Sequence, residues 1–287
     1  MTAPTTTREQ LRFDDLEPHL LLKNGNYLYK VPFRGGFAVL KVYQGTRRWI
    51  DYAWKTVGNV VVCNQTSFMP RARRRTELAC LKLWRDAGFR VFGEYDVEVV
   101  VAGQPLEPTL YALYEYVPAK KLVDLLGDPA LPLEQRLALW RGFLPVWHRR
   151  HALAIERQEP RFVHENGDLK HVMPLADGQY LQFDFEMVFR SRSRVKEFVA
   201  REILSFLKSL GKTTGADFPA FMDETVRHYP SRDLLLHTHA FAFANPNPVL
   251  RLARAVDRAI KPRAQKPFSK YNVARLLRTK LGASPSA

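Results

Sequence analysis

The 287-residue chain has only two cysteines, Cys63 and Cys80. They form no Cys-x-x-Cys pair and join no cluster of metal-ligating residues, so two buried thiols are expected. That usage is compatible with a reducing cytoplasm, where the chain is expected to reside. No run approaches ~18 apolar residues, so no membrane-spanning helix is predicted. Met1–Gln10 is polar and has no apolar stretch, so no secretory signal is read there. Internal repeats and low-complexity tracts are absent, as are helix-turn-helix and zinc signatures. Acidic residues are in short supply: 29 Asp and Glu face 44 Lys and Arg, leaving a formal net charge of +15. Such an excess favours an anionic partner, whether nucleic acid, a membrane surface or a phosphorylated substrate, without choosing among them. Apolar residues at 46% and charged residues at 25% describe a globular chain with a sizeable core. Its length suits one two-lobed domain or two modest ones.

The first part reads as strands. His19–Lys23, Tyr27–Val31 and Phe37–Tyr43 are short β-rich runs separated by Asn24-Gly25-Asn26 and Arg34-Gly35-Gly36. Turn dipeptides between such runs predict a meander of hairpins. Residues 44–70 carry little pattern, although the β-branched run Val60–Val62 suggests a short strand. Arg71–Ala87 is predicted helical, with Leu78, Leu81 and Trp84 at three-residue spacing and Gly88 as a stop. Its opening run, Arg71-Ala72-Arg73-Arg74-Arg75, adds positive charge and reads either as a basic rim near the mouth of a binding cleft or as a solvated basic helix start. Strands are predicted at Tyr95–Val101 and Thr109–Val117. The second half turns helical: a short helix at Lys121–Leu126, a longer one at Glu134–His151 with Pro145 inside it, and another at Val195–Leu210. Between the last two, Leu169–Leu175 and Gln179–Phe185 form a hairpin around Asp177-Gly178. Pro248–Leu281 is basic and partly helical.

Four residues stand out chemically. Lys41 sits in an apolar strand, where a lysine is costly to bury without a partner. Glu77 lies on the next helix, placed to supply that partner. Asp168 precedes the hairpin and Asp184 ends it, so the Asp177-Gly178 turn is expected to return one aspartate beside the other. Two adjacent carboxylates need a compensating cation, and Mg²⁺ is the natural one. Phosphoryl transfer from a nucleotide asks for these parts: a cation for the phosphates, a carboxylate for Mg²⁺, and a carboxylate that orients the attacking hydroxyl.

The ordered motifs resemble the protein-kinase-like superfamily over about residues 19–210. Ala38-Val39-Leu40-Lys41 resembles its third-strand lysine motif. Thr76-Glu77-Leu78 with Ala87-Gly88-Phe89 resembles the helix and following glycine of its small bacterial members. Tyr114-Glu115-Tyr116-Val117-Pro118 resembles the hinge. Gly167-Asp168-Leu169-Lys170 resembles the catalytic loop, and Phe183-Asp184-Phe185-Glu186 the metal-binding Asp-Phe-Gly segment. The resemblance implies an α+β, two-lobed fold: a small antiparallel β-sheet N-lobe over 1–117, a helical C-lobe over 118–247, and a basic tail over 248–287. It further implies ATP and Mg²⁺ as cofactors, Asp168 as the catalytic aspartate, and Asp184 as the Mg²⁺ ligand. Lys41 would contact the phosphates and pair with Glu77, and backbone groups near Glu115 and Val117 would bind adenine.

The sequence departs from that pattern in three places. Asn166 stands two residues before Asp168, where the family carries histidine, and His164 lies two positions further back. Met173 replaces an asparagine that would ligate Mg²⁺; His171 or Glu186 could compensate. The first turn has a single glycine, Gly25. These departures resemble bacterial lipopolysaccharide core (heptose/Kdo) kinases, which implies a phosphorylated, anionic core-sugar acceptor at the inner membrane. Residues 251–280 hold ten Lys or Arg and one acid, Asp257, a composition suited to an anionic leaflet. Only Phe268 and Tyr271 in that tail could stack on bases, which weighs against nucleic acid. A RIO-like protein kinase, a small-molecule phosphotransferase, a nucleotide-binding pseudokinase and a non-catalytic scaffold stay open as alternatives.

Overall fold

The structure is a computed structural model, and it describes residues 9–23, 25–45, 48–243 and 267–283. The chain divides into two compact units. The first takes the chain through Pro118 together with Asp184–Val188; the second takes Ala119–Phe183 and the chain from Phe189 onward.

The first unit contains strands β1 (Gln10–Phe13), β2 (Leu20–Lys23), β3 (Tyr27–Phe33) and β4 (Gly36–Val42), then helices α1 (Trp49–Val57) and α2 (Pro70–Asp86). Strands β5 (Glu94–Tyr95), β6 (Glu98–Val101), β7 (Gln104–Pro105) and β8 (Tyr111–Glu115) complete it. Five strands form an antiparallel sheet in the order β2-β3-β4-β8-β5. The β3–β4 hairpin closes through Arg34 and Gly35, both at positive φ (48° and 75°), which matches the Gly-Gly signal in the sequence. Alternation along β3 and β4 sends Val31, Ala38 and Leu40 into one core with Val97, Val99 and Leu113.

Three local expectations are corrected here. Val60–Val62 belongs to a π-helical turn, Gly58–Val62, that continues α1; its β-branched residues follow a helix instead of pairing. The predicted strand Tyr95–Val101 is two strands in different sheets, since β6 leaves the five-stranded sheet to pair with β1 in parallel and with β7. The run Arg71–Arg75 is not a uniformly solvated face: Arg73 is 1% exposed and Arg74 is half-buried. Helix α1 turns Tyr52 inward onto Phe68 while Ile50, Trp54 and Val57 face outward.

The second unit holds α3 (Leu122–Leu126), α4 (Leu133–Glu156), the hairpin β9 (Val172–Pro174) and β10 (Tyr180–Gln182), α5 (Val195–Thr214), α6 (Phe218–His228), α7 (Arg232–Phe243) and α8 (Lys270–Ala283). Helix α4 runs through Pro145. Its Trp140, Phe143 and Trp147 pack with Phe206 of α5 in an aromatic core. The hairpin turns at Gly178, φ 79°, with Leu175 N–H donating to Gln179 O at 2.8 Å. Helix α8 buries Tyr271, Val273, Ala274, Leu277 and Leu281 and packs on α5, α6 and α7. The described end of the basic segment is therefore part of this core, while residues 251–266 lie outside the described residues.

The fold class is the one expected, α+β: a small sheet unit with one long helix and a helical unit carrying a short hairpin. Among the described residues no helix is long and apolar enough to cross a membrane.

Candidate functional site

Lys41 owes its position to strand alternation. Leu40 points into the core cluster shared with Leu113, so Lys41, one residue on and paired with Ala112, points to the opposite sheet face. Helix α2 presents Arg73, Glu77, Cys80, Leu81 and Trp84 as its buried side. Their four- and three-residue spacing makes one helical face, and two charged residues ride on it.

Lys41 Nζ lies 2.7 Å from Glu77 Oε2 and 2.6 Å from Glu186 Oε1, with Asp184 Oδ1 at 3.8 Å. Its side chain is 9% exposed. Tyr43 Oη donates to Glu77 Oε2 at 2.6 Å and sits 2.7 Å from Tyr114 Oη. Arg73 secures the other side of Glu186: its Nη1 is 2.8 Å from Glu186 Oε2 and 2.7 Å from Asn26 Oδ1. Arg73 Nη2 also donates to the carbonyls of Gly25, at 3.3 Å, and Tyr43. Asn26 Nδ2 donates to Glu186 Oε1. The β2–β3 turn, α2 and residues 184–186 are thus joined through one set of charged hydrogen bonds.

The segment Asp184–Val188 is strapped into the first unit. Phe185 is buried, its ring 4.2 Å from that of Trp84. Thr66 N–H donates to Val188 O at 2.9 Å, and Val188 N–H donates to Thr66 Oγ1 at 3.2 Å. Thr66, within the stretch 44–70 that is illegible in the sequence, therefore helps to anchor the segment that carries Asp184. Asp184 itself has φ 73°, a left-handed conformation that is uncommon outside glycine and tends to mark functional positions.

Burial alone would depress Lys41, but the charges of Glu186, Glu77 and Asp184 outweigh it and hold the ammonium well above its ordinary value. Burial pushes Glu77 up; Lys41 opposes the shift, while Glu186 and Asp184 add to it. Burial and the Glu77 charge raise Tyr43 and Tyr114 well above the usual phenol range. Lys41 is accordingly a permanent cation in a ring of carboxylates and phenols.

The fit to Mg²⁺ can be judged from the donors. Among the described residues no group of three His, Cys, Asp or Glu forms a ready metal cage. Glu186 is already engaged, with Lys41 and Asn26 at Oε1 and Arg73 at Oε2. His171 is buried against His164 with its Nδ1 at Asn166 O, 3.1 Å. Asp184 is 37% exposed. One half-buried carboxylate suits an ion that keeps its waters and takes its remaining ligands from phosphate oxygens, which is the habit of Mg²⁺.

Glu115 ends β8 opposite Ala38. Its backbone N–H donates to Gly93 O at 2.9 Å, and its carboxylate is held by Arg90 and by Gly93 N–H at 2.7 Å. Val117 follows two residues later, outside the sheet and half-buried.

In the second unit, Asp168 caps a single turn of 3₁₀ helix, Leu169–His171. Its Oδ1 accepts from Lys170 N–H at 3.1 Å and from Ser209 Oγ at 2.9 Å. The preceding residue must be glycine: a Cβ on Gly167 would lie 2.7 Å from Glu202 Cγ and 2.8 Å from Phe206. Glu202 organises the approach to this loop. It accepts from Arg150 at 2.9 Å, from Trp147 Nε1 at 3.1 Å and from the His164 amide at 2.7 Å. Burial would raise the Glu202 carboxyl, but the Arg150 charge, the neighbouring His151 and the hydrogen bonds from both together outweigh it and hold the carboxyl far below the usual carboxylate range. His164 Nε2 donates to Phe183 O at 2.9 Å. The histidine two positions upstream of Asn166 is therefore wired to the residue that precedes Asp184.

The structure brings Lys41, Glu77 and Asp184 together in the first unit and places Asp168 in the second. Sequence reasoning missed Arg73, Tyr43 and Asn26. The signal for Arg73 was present: it lies four residues before Glu77 and eleven before Trp84, on the face that the apolar residues define.

No protein-family model matches the chain, and no curated protein matches it in sequence. Solved structures do resemble it. WaaP in complex with acyl carrier protein aligns at 13% identity and TM-score 0.41, over 85% of this chain and 91% of that one. The Rio2 kinase–ADP/Mg²⁺–phosphoaspartate complex from Chaetomium thermophilum aligns at 14% identity and TM-score 0.42, over 92% and 70%. An apo pseudokinase aligns at 14% identity and TM-score 0.44, over 98% and 99%. These likenesses include a kinase and a pseudokinase.

Proposed function

We propose that this chain is an ATP-dependent kinase that transfers the γ-phosphoryl group to a hydroxyl. The observation that carries the reading is the buried Lys41, held at 2.7 Å by Glu77 with Asp184 at 3.8 Å. A lysine kept charged at such a cost in burial serves an anion better than it serves packing. Lys41 binds the nucleotide phosphates, and Glu77, steadied by Tyr43, fixes the direction of its ammonium. Asp184 holds Mg²⁺. When bound, Mg²⁺ supplies charge neutralisation at the phosphate oxygens. Backbone groups near Glu115 and Val117 take adenine, the Glu115 N–H itself being given to Gly93 O. Asp168 accepts the proton of the attacking hydroxyl; both of its side-chain contacts fall on Oδ1, which leaves Oδ2 for that acceptor. Ser209 and the Gly167 close approach keep the carboxylate in place.

The acceptor we favour is a lipopolysaccharide core sugar at the inner membrane surface. This choice rests on the sequence resemblance and on the net charge of +15, which suits a phosphorylated, anionic acceptor. The chain would then work in the cytoplasm at the membrane periphery; from Lys270 onward the basic segment 251–280 buries its apolar face in the second unit, so its Lys and Arg side chains, and not an inserted apolar face, would meet the leaflet. A nucleotide-binding pseudokinase is the second reading, favoured by Met173 at a position where a hard-metal ligand is expected.

The deciding experiment is transfer from labelled ATP to a panel of acceptors that includes core oligosaccharide, with Asp168→Asn as control. The kinase reading expects transfer by the native chain, at least about 10³-fold less in Asp168→Asn, and nucleotide affinity changed little. Nucleotide binding without transfer to any acceptor selects the pseudokinase, and unchanged turnover in Asp168→Asn removes Asp168 from its role.

A further inference from the structure

Glu186 has no counterpart in the chemistry proposed above. Where the resembling segment has glycine, this chain places a carboxylate, and that carboxylate is 8% exposed. Its Oε1 sits 2.6 Å from Lys41 Nζ, marginally nearer than the Glu77 oxygen at 2.7 Å. The carboxylate cannot drift away from the lysine, because Arg73 Nη1 holds its other oxygen at 2.8 Å and Asn26 Nδ2 donates to the same Oε1. Arg73 is fixed in turn by Asn26 Oδ1 at 2.7 Å and by the Gly25 and Tyr43 carbonyls.

We propose that Glu186 is a specificity-determining residue of the phosphate site, an internal anion that occupies a Lys41 N–H and makes the site reject polyphosphate that arrives without a divalent cation. The proposal rests on the reading of Lys41 as the phosphate-binding cation, and it concerns selection at that site.

The charge balance explains the selection. Lys41 and Arg73 contribute two positive charges; Glu77, Glu186 and Asp184 contribute three negative ones. An incoming polyphosphate meets a site with no net positive charge and must compete with Glu186 for the lysine. A metal-bound polyphosphate brings its own cation to Asp184, and the balance turns in its favour. Neutralising Glu186 leaves Lys41 with one charged partner, Glu77, at hydrogen-bond distance and removes the competitor while Asp184 stays.

The test uses the full-length chain and inorganic tripolyphosphate, titrated calorimetrically with and without Mg²⁺, on native protein, Glu186→Gln and Glu186→Ala. Two variants are needed because glutamine brings an N–H into a cluster of donors and could disturb it, whereas alanine only deletes. The selectivity, affinity with Mg²⁺ divided by affinity without it, is the readout. A structural role for Glu186 would lower both affinities together and leave the ratio alone. The expected result is tighter metal-free binding in at least one variant and a ratio smaller by about tenfold, the scale of one charge-assisted hydrogen bond. A ratio unchanged or increased in both variants overturns the proposal, as does absence of tripolyphosphate binding in all three proteins. Mg·ATP is titrated alongside to separate the two claims. A native chain that binds Mg·ATP while the ratio stays fixed loses this inference and keeps the kinase reading. A ratio that falls in a chain indifferent to Mg·ATP does the reverse.

Discussion

Replacing Lys41 with methionine keeps the length of the side chain and deletes its charge. The consequences differ for its two carboxylate partners. Glu186 retains Arg73 and Asn26. Glu77 retains the Tyr43 hydroxyl at 2.6 Å and is otherwise left as a carboxylate with 4% of its surface exposed. Breaking a buried ion pair from one side costs about 3–5 kcal/mol, and the survival of the Glu186 contacts argues for the lower end, about 3 kcal/mol at pH 8. The loss depends on pH in a definite direction. Burial raises the folded-state pKa of Glu77 above 4.5, so folding is favoured where Glu77 is protonated, and that contribution is lost as pH rises through the folded value. Lys41 opposes the shift in the native protein; without it the folded value climbs and the pH window widens. Urea unfolding at pH 5, 6, 7 and 8 measures this, with native and Lys41→Met compared at equal m. The variant should be weakest at pH 8 and recover toward pH 5, and the double variant with Glu77→Gln should regain most of the loss at pH 8. A deficit that is the same at every pH, or below about 1 kcal/mol at pH 8, would refute the reasoning.

Two further outcomes follow from the buried charges. Arg73→Met should cost about 3 kcal/mol, since it leaves Glu186 to Lys41 and Asn26 and removes the donor to the Tyr43 carbonyl, and Arg73→Lys should recover less than half of that because one ammonium cannot reproduce the guanidinium fork; thermal unfolding of the three proteins checks both. In the second unit, burial lowers His151 from 6.5 to about 4. A lowered folded-state value supports the fold above pH 6.5 and withdraws that support as pH falls toward 4, a loss of roughly 3 kcal/mol. His151→Gln, which removes the titration, should flatten the stability curve across that interval, and an unaltered curve would contradict the assignment.

Much of the site was readable because local chemistry and tertiary packing agree there. Gly35 and Gly178 take the positive φ that their hairpins require, so the positions of β3, β4, β9 and β10 follow from turn residues and alternation. Lys41 and Glu77 were legible because a charge in an apolar strand needs a partner and α2 is the next amphipathic helix. Helix α1 was not legible. Its Ile50, Trp54 and Val57 are 49%, 71% and 53% exposed, so apolar periodicity there marks an outer face and gives no guide to packing. The π turn at Gly58–Val62 misled for a related reason, as a β-branched run takes its conformation from context. The parallel pairing of β1 with β6 joins residues 88 positions apart, Gln10 with Glu98, and nothing local encodes it. Arg73 was misread because a run of arginines reads as surface by composition, whereas its place on the helix face sets its burial. Glu186 was visible as a residue but not as a partner of Lys41, since the two meet through tertiary structure alone.

The account depends most on Lys41 and Asp184 forming a seat for metal-bound nucleotide phosphates. Calorimetric titration of ATP into the native chain and into Asp184→Ala, each with and without Mg²⁺, tests that seat most directly. The account predicts Mg²⁺-dependent binding by the native chain and, in Asp184→Ala, an affinity for Mg·ATP reduced by about tenfold or more with the dependence on Mg²⁺ abolished. Failure of the native chain to bind Mg·ATP, or equal affinity in the two proteins, would contradict it.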